Sequence, residues 1–93
     1  MSYTRFLYHI IFRTKNSRKT IVEQYEKELY AYIMGIVINK KSKLYRIGGT
    51  SNHIHLLVDI HPTYSIANFM KELKEYSSKW LSANRSFPDF QGW

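Results

Sequence analysis

The chain has 93 residues, the length of one domain, and its hydrophobic content of 44% and aromatic content of 16% exclude a disordered chain. Its 14 lysines and arginines against 7 acidic residues give a net charge of +7, which with the many aromatic residues favours a nucleic-acid partner. The absence of cysteine excludes disulfides and thiolate metal sites and fits the cytoplasm. No apolar run is long enough to span a membrane, so we expect no membrane partner. A basic soluble protein without a particular partner stays an alternative.

Two elements are predicted in the first half of the chain. The aromatic and β-branched segment 3–13 is typical of a strand, with Tyr8, Ile10 and Phe12 on one face. The spacing of apolar residues then changes to steps of three and four, which predicts an amphipathic helix over 22–40.

The second half is predicted to contain two strands and a helix. Segments 43–50 and 53–60 read as strands, and the short connection between them favours antiparallel pairing. Ser65 is a predicted N-cap for a helix over 66–84, which has its own apolar stripe. The aromatic segment 86–93 shows no periodicity and is left without a predicted element.

The order strand, helix, strand, strand, helix predicts an α+β fold of the ferredoxin-like (split βαβ) type. One further strand would complete that pattern, and no segment of the chain provides it. The first strand would then remain an open edge, which favours pairing with another chain.

The segment His53-Ile54-His55 carries the clearest chemical signal. Residues two apart on a strand share a face, so both imidazoles are expected side by side, where they can bind one divalent ion. Asn52 is positioned to orient an imidazole or to make the turn before the strand. On spacing alone, two histidines bonded to neighbours or water remain an alternative.

Three classes of protein carry histidine pairs of this kind. A cupin needs an all-strand barrel, which the two predicted helices contradict. A two-histidine phosphoesterase needs two separate motifs with a hydroxyl residue, and only one pair is present. An ion-dependent nuclease or strand-transfer enzyme agrees with the basic charge and is the preferred interpretation.

Basic residues cluster at the ends of predicted elements, where they can bind the phosphates of DNA. Solvated turns are the alternative interpretation of the same residues. The predicted DNA-binding residues are Arg13, Lys15, Arg18, Lys19, Lys40, Lys41, Lys43 and Arg46.

Four blocks of the sequence together resemble the transposases of small insertion sequences that move as single-stranded DNA. These are the TnpA-type HUH single-tyrosine enzymes and the related REP-associated tyrosine transposases. The blocks span nearly the whole chain: YTRFLYHIIFRTKNSRK (3–19), GGTSNHIHLLVDI (48–60), SIANFMKELKEYSSKW (65–80) and FQGW (90–93).

The resemblance implies a specific site and mechanism. His53 and His55 would hold Mg or Mn at a ferredoxin-like sheet. A tyrosine on a later helix would attack the scissile phosphate and leave a covalent phosphotyrosine that a free 3′ hydroxyl can reverse. The resemblance also implies a homodimer that recognises hairpins in single-stranded DNA.

The sequence departs from the family at its end. In the family, residues like FQGW precede a further strand and the helix with the tyrosine, whereas this chain ends at Trp93. We therefore expect residues 1–93 to be one transposase-like domain without its last strand and nucleophile helix, unable to cleave alone. Tyr76 is the only substitute nucleophile that stands out, and its helical phase favours a packing role. A non-enzymatic nucleic-acid-binding remnant and a structural dimer module are the alternatives.

Overall fold

The structure is a computed structural model that describes residues 7–93, so the predicted first part of strand one, 3–6, lies outside the described residues. The described elements follow the predicted order, and together with the sheet they confirm the α+β, ferredoxin-like prediction. None of the described helices is long and apolar enough to cross a membrane. The strands and helices are β1 (Leu7–Arg13), α1 (Glu26–Asn39), β2 (Lys43–Thr50), β3 (His53–Asp59) and α2 (Ile66–Ala83).

The three strands form one antiparallel sheet with the order β1-β3-β2. β3 is therefore central, and β1 has no second strand partner among residues 7–93. This matches the predicted open edge. The central position also explains why β3 is the strand whose inward residues are most completely buried.

The two faces of the sheet differ in what covers them. Ile54, Leu56 and Val58 of β3 are fully buried and join α1 and α2 in one hydrophobic core. The residues between them, including His53 and His55, point to the other face, which no described helix covers. We call this uncovered side the open face. The prediction that both imidazoles share a face opposite Ile54 is confirmed.

A β-bulge interrupts the pairing of β2 with β3. Leu44 is opposite Val58, but the next paired residue is Arg46, opposite Leu57. Tyr45 is thus the extra residue of the bulge. Because one residue is inserted, Arg46 lies on the open face.

Both helices begin close to where the apolar periodicity predicts. α1 starts at Glu26 because the preceding residues 23–25 form a short 3₁₀ turn, so the helix is shorter than the predicted 22–40. α2 starts after Ser65, whose Oγ accepts a hydrogen bond of 3.1 Å from the backbone N–H of Asn68. The predicted N-cap is confirmed.

Replacing Ser65 with alanine is expected to lower the free energy of unfolding by about 1 kcal/mol, because an N–H of the first turn of α2 loses its acceptor. Urea denaturation followed by circular dichroism measures the change. Ser65→Asp keeps an acceptor at the same place and should restore most of the loss, whereas an equal loss in both variants would contradict the capping role.

The segment 87–93, which we call the tail, packs against the core although its sequence shows no periodicity. Phe87 and Phe90 are buried, and the indole N–H of Trp93 donates a 2.9 Å hydrogen bond to Ser77 Oγ of α2. The backbone N–H of Lys15 also donates to the carbonyl of Gly92 at 2.9 Å. The tail therefore connects α2 to the turn that follows β1.

Candidate metal and nucleic-acid site

Three strands place the side chains of the open face in rows, with His55 at the centre. The register of the two strand pairs determines each row, because cross-strand partners lie directly opposite each other. The rows are Arg13, His53 and Thr50; then Ile11, His55 and Gly48; then His9, Leu57 and Arg46.

A cavity of about 400 Å³ covers most of these rows. Arg13 and Arg46 lie at opposite corners of the rows, and both are exposed. The cavity thus combines imidazole rings, two guanidinium groups and an apolar floor. Its lining residues are His9, Ile11, Arg13, Arg46, His53, His55 and Leu57.

Hydrogen bonds fix the ring of His53. Its Nδ1 lies 3.0 Å from Asn52 Oδ1 and 2.9 Å from Thr50 Oγ1, and the Thr50 hydroxyl donates to Asn52 Oδ1 at 2.9 Å. An amide oxygen can only accept, so the hydrogen bond between Nδ1 and Asn52 Oδ1 forms in the tautomer with the proton on Nδ1. The lone pair of a neutral His53 is then on Nε2, the atom free to bind an ion.

Packing rather than hydrogen bonding surrounds His55. Its ring makes no hydrogen bond among residues 7–93, and its centroid lies 6.2 Å from that of His53. The ring of His9 meets it edge to face at a centroid distance of 5.9 Å. The contact between His9 and His55 could not be predicted from the sequence. It depends on the register between β1 and β3, which the sequence of one strand does not reveal.

The protein ligands for an ion are incomplete in the described part of the chain. Among residues 7–93, no three histidine, cysteine, aspartate or glutamate side chains lie close enough to hold one ion together. His9 is therefore near the pair without forming a three-ligand cluster with it.

Seven of the eight predicted basic residues occupy three exposed places. Arg13 and Arg46 line the histidine cavity. Lys15, Arg18 and Lys19 are exposed on the turn after β1, where Arg18 Nη1 donates a 3.1 Å hydrogen bond to Gln91 Oε1 of the tail. Exposed residues at the start of β2 form the third group, and these are Lys41 and Lys43.

Comparisons with known proteins place this arrangement in a family. Residues 2–92 match the family described as "Transposase IS200 like". The chain belongs to the IS200-like transposase family.

A solved structure and a search of curated proteins complete these comparisons. The fold is similar to the crystal structure of a protein from Deinococcus radiodurans R1 described as a candidate transposase, with a TM-score of 0.83 and 24% identity. The match covers 94% of this chain and 65% of that one, so the chain spans about two thirds of its length. No curated protein matches the sequence.

One predicted DNA-binding residue of this IS200-like transposase chain lies away from the basic surface. Lys40 is only 8% exposed, its ammonium group forms a salt bridge with Glu72 of α2, and it lies 4.9 Å from the centroid of the Tyr64 ring. In the sequence, Lys40 is the first residue of the basic run 40–43. Nothing in that run indicates that the Lys40 side chain turns toward the helices. Lys40 is therefore not part of the exposed basic surface.

No described tyrosine lines the histidine cavity. Tyr76 is 45% exposed on α2 and lines a different cavity, of about 590 Å³, together with residues of α1. Burial and the neighbouring Glu26 raise the pKa of Tyr30 to about 12, which makes it a poor nucleophile. Among residues 7–93, the candidate site thus has two histidines of the predicted pair but no tyrosine beside them.

Proposed function

We propose that this IS200-like transposase chain, as one transposase-like domain, binds single-stranded DNA on the open face and there holds Mg or Mn through His53 and His55. The observation that carries the proposal is the pair of imidazoles on the open face with Arg13 and Arg46 at opposite corners around them. Membership of the family supports DNA transposition as the process that this binding serves.

The donor set suits a divalent ion in part. Neutral imidazole binds first-row divalent ions, with Mn at the weak end of that series, and the hydrogen bonds to Thr50 and Asn52 leave Nε2 of His53 as the free donor. Water molecules and phosphate oxygens of DNA are oxygen ligands that would complete the coordination, since residues 7–93 provide no third ligand. A bound ion would supply positive charge that polarises the scissile phosphate.

The arginines and the turn after β1 support the DNA part of the proposal. A phosphate held between the histidines would have Arg13 toward one side and Arg46 toward the other, and guanidinium groups bind phosphate bidentately. The exposed residues Lys15, Arg18 and Lys19 extend the positive surface beyond Arg13. Hairpins in single-stranded DNA are the form of DNA that the family resemblance suggests.

The position of the tyrosines supports a role in binding and positioning without cleavage by this chain alone. Tyr76 lies in the cavity between α1 and α2, whereas the histidines lie on the opposite side of the sheet. We propose that a tyrosine from a protein chain of different sequence completes the site. The unpaired edge of β1 is a surface through which a second copy could join the sheet.

A second candidate is a DNA-binding module without ion-dependent chemistry. The observation that favours it is the lack of a third protein ligand near His53 and His55 among the described residues. Ion binding separates the two functions, because the module would bind DNA equally well with a chelator.

The test mixes the protein with labelled single-stranded DNA that carries a hairpin, with Mn²⁺ or with EDTA, and resolves it on native and denaturing gels. We expect a complex on the native gel and no covalent adduct on the denaturing gel. His53→Ala and His55→Ala should each lower Mn²⁺ affinity about tenfold or more, because each removes an ion ligand.

The control is His61→Ala, which removes a histidine outside the histidine cavity and should leave Mn²⁺ affinity unchanged. Equal binding of Mn²⁺ by the wild type and both histidine variants would contradict the ion site. A covalent adduct that disappears in Tyr76→Phe would contradict the assignment of a non-cleaving role.

A further inference from the structure

Two residues outside the proposed ligand pair surround the ring of His55. An added Cβ at Gly48 would lie 3.1 Å from Nε2 of His55 and 3.4 Å from its Cε1. The imidazole therefore leans over β2 into space that is free because position 48 carries no side chain. On the other side, the ring of His9 from β1 meets His55 edge to face.

The two histidines of the pair are thus held by different means. His53 is fixed by hydrogen bonds to Asn52 and Thr50, whereas no such bond fixes His55 among residues 7–93. A half-buried imidazole without a hydrogen bond still has more than one rotamer available, and only steric contacts restrict it. Gly48 and His9 supply these contacts on opposite sides.

We propose that Gly48 and His9 are positioning residues that set the orientation of the His55 ring. Gly48 leaves room for Nε2 above β2, and the His9 ring closes the side toward β1. The proposal deepens the proposed function and rests on it where ion affinity is concerned. The orientation of the His55 ring can be tested without any ion, because the contacts with Gly48 and His9 do not involve one.

A glycine at position 48 has no other evident role in the strand. Glycine inside a strand lowers strand propensity, and β-branched residues such as valine raise it. Gly49 differs, because a Cβ there would lie 2.2 Å from the backbone oxygen of His53, so its substitution distorts the chain. Gly48 can accept a side chain if His55 moves, which makes it the informative position.

The first experiment compares Gly48→Ala and Gly48→Val with the wild type. Protein labelled with ¹⁵N-histidine is examined by NMR in EDTA, and Mn²⁺ binding is then measured by EPR of the free ion. We expect the ring signals of His55 to shift while those of His53 stay, and Mn²⁺ affinity to fall about tenfold in Gly48→Val. The thermal midpoint of that variant should equal or exceed that of the wild type.

Gly35→Ala is the matched control, since it adds the same methyl group where nothing lies within 4 Å. It should change neither the His55 signals nor Mn²⁺ affinity. Unchanged His55 signals in Gly48→Val would overturn the positioning role of Gly48, and shifted signals with unchanged Mn²⁺ affinity would overturn its effect on ion binding. A wild type that binds no Mn²⁺ overturns the ion part of the proposed function, while the His55 signals still test the orientation.

The second experiment separates ring contact from ion ligation at His9. His9→Phe keeps an aromatic edge but has no donor atom, and His9→Ala removes both. We expect Mn²⁺ affinity and the His55 signals to be retained in His9→Phe, and affinity to fall roughly threefold in His9→Ala, the size of one aromatic edge contact. Equal loss in both variants would overturn the contact role and make His9 a ligand, and no loss in either would remove His9 from the proposal.

Discussion

Replacing Phe87 with alanine is expected to lower the free energy of unfolding by about 3 to 5 kcal/mol. The ring is 1% exposed and lies between two other aromatic rings, with centroids 6.4 Å from Tyr25 and 5.9 Å from Trp80. Its removal leaves a cavity that a small domain cannot easily fill. Because such domains are stable by only about 5 to 15 kcal/mol, the variant should lose much of its stability.

Urea denaturation followed by circular dichroism measures this loss. Asp89→Ala is the control, since Asp89 is exposed in the same tail and should change stability by less than about 0.5 kcal/mol. A similarly small change in Phe87→Ala would mean that the tail does not form part of the folded core.

Replacing both Arg13 and Arg46 with alanine is expected to weaken binding of single-stranded DNA roughly 100-fold. Each guanidinium that bonds a phosphate contributes about 1.5 kcal/mol or more, and the two lie at separate corners of the cavity. The slope of log K against log salt should also become shallower by about 1.4, since two fewer phosphates are neutralised and each contributes about 0.7 for a single strand. Fluorescence anisotropy over a range of salt concentrations provides both values.

The matched control removes the same charge from the helices. Lys27 of α1 and Lys71 of α2 are exposed, and these helices cover the other face of the sheet. The double variant Lys27→Ala, Lys71→Ala should therefore bind DNA much more tightly than the arginine variant. Equal losses in the two would indicate attraction by net charge alone and would contradict a DNA path over the open face.

The strands and the face of the histidines were predictable because they depend on local periodicity. β2 has the predicted bounds 43–50, and alternation along β3 placed both imidazoles away from the core. The N-cap at Ser65 was also local, since it requires one hydroxyl before an apolar stripe. Such features need no knowledge of which strand lies beside which.

The surroundings of the histidines were not predictable, because they depend on pairing between distant segments. His9 meets His55, and Gly48 lies under it, only through the register of two strand pairs. The burial of Lys40 also depends on a distant segment. Its basic neighbours in the sequence predicted an exposed cluster, but a salt bridge with Glu72 of α2 allows Lys40 to be buried. The tail has too few residues to show a period, so its burial could not be predicted from the sequence. Its aromatic rings are buried because they pack into the hydrophobic core.

The bulge at Tyr45 divides β2 into two halves of opposite alternation. Before it, Leu44 points to the core, and after it, Ile47 does, an odd number of residues apart. Deleting Tyr45 would leave Leu44, Arg46 and Ile47 consecutive, opposite Val58, Leu57 and Leu56, so regular alternation would keep Ile47 in the core and Arg46 on the open face. Deleting both Tyr45 and Arg46 would instead bring Ile47 opposite Leu57 and turn its side chain to the open face. A related sequence with one residue between these two apolar positions, where this chain has two, would therefore present the same open face without a bulge.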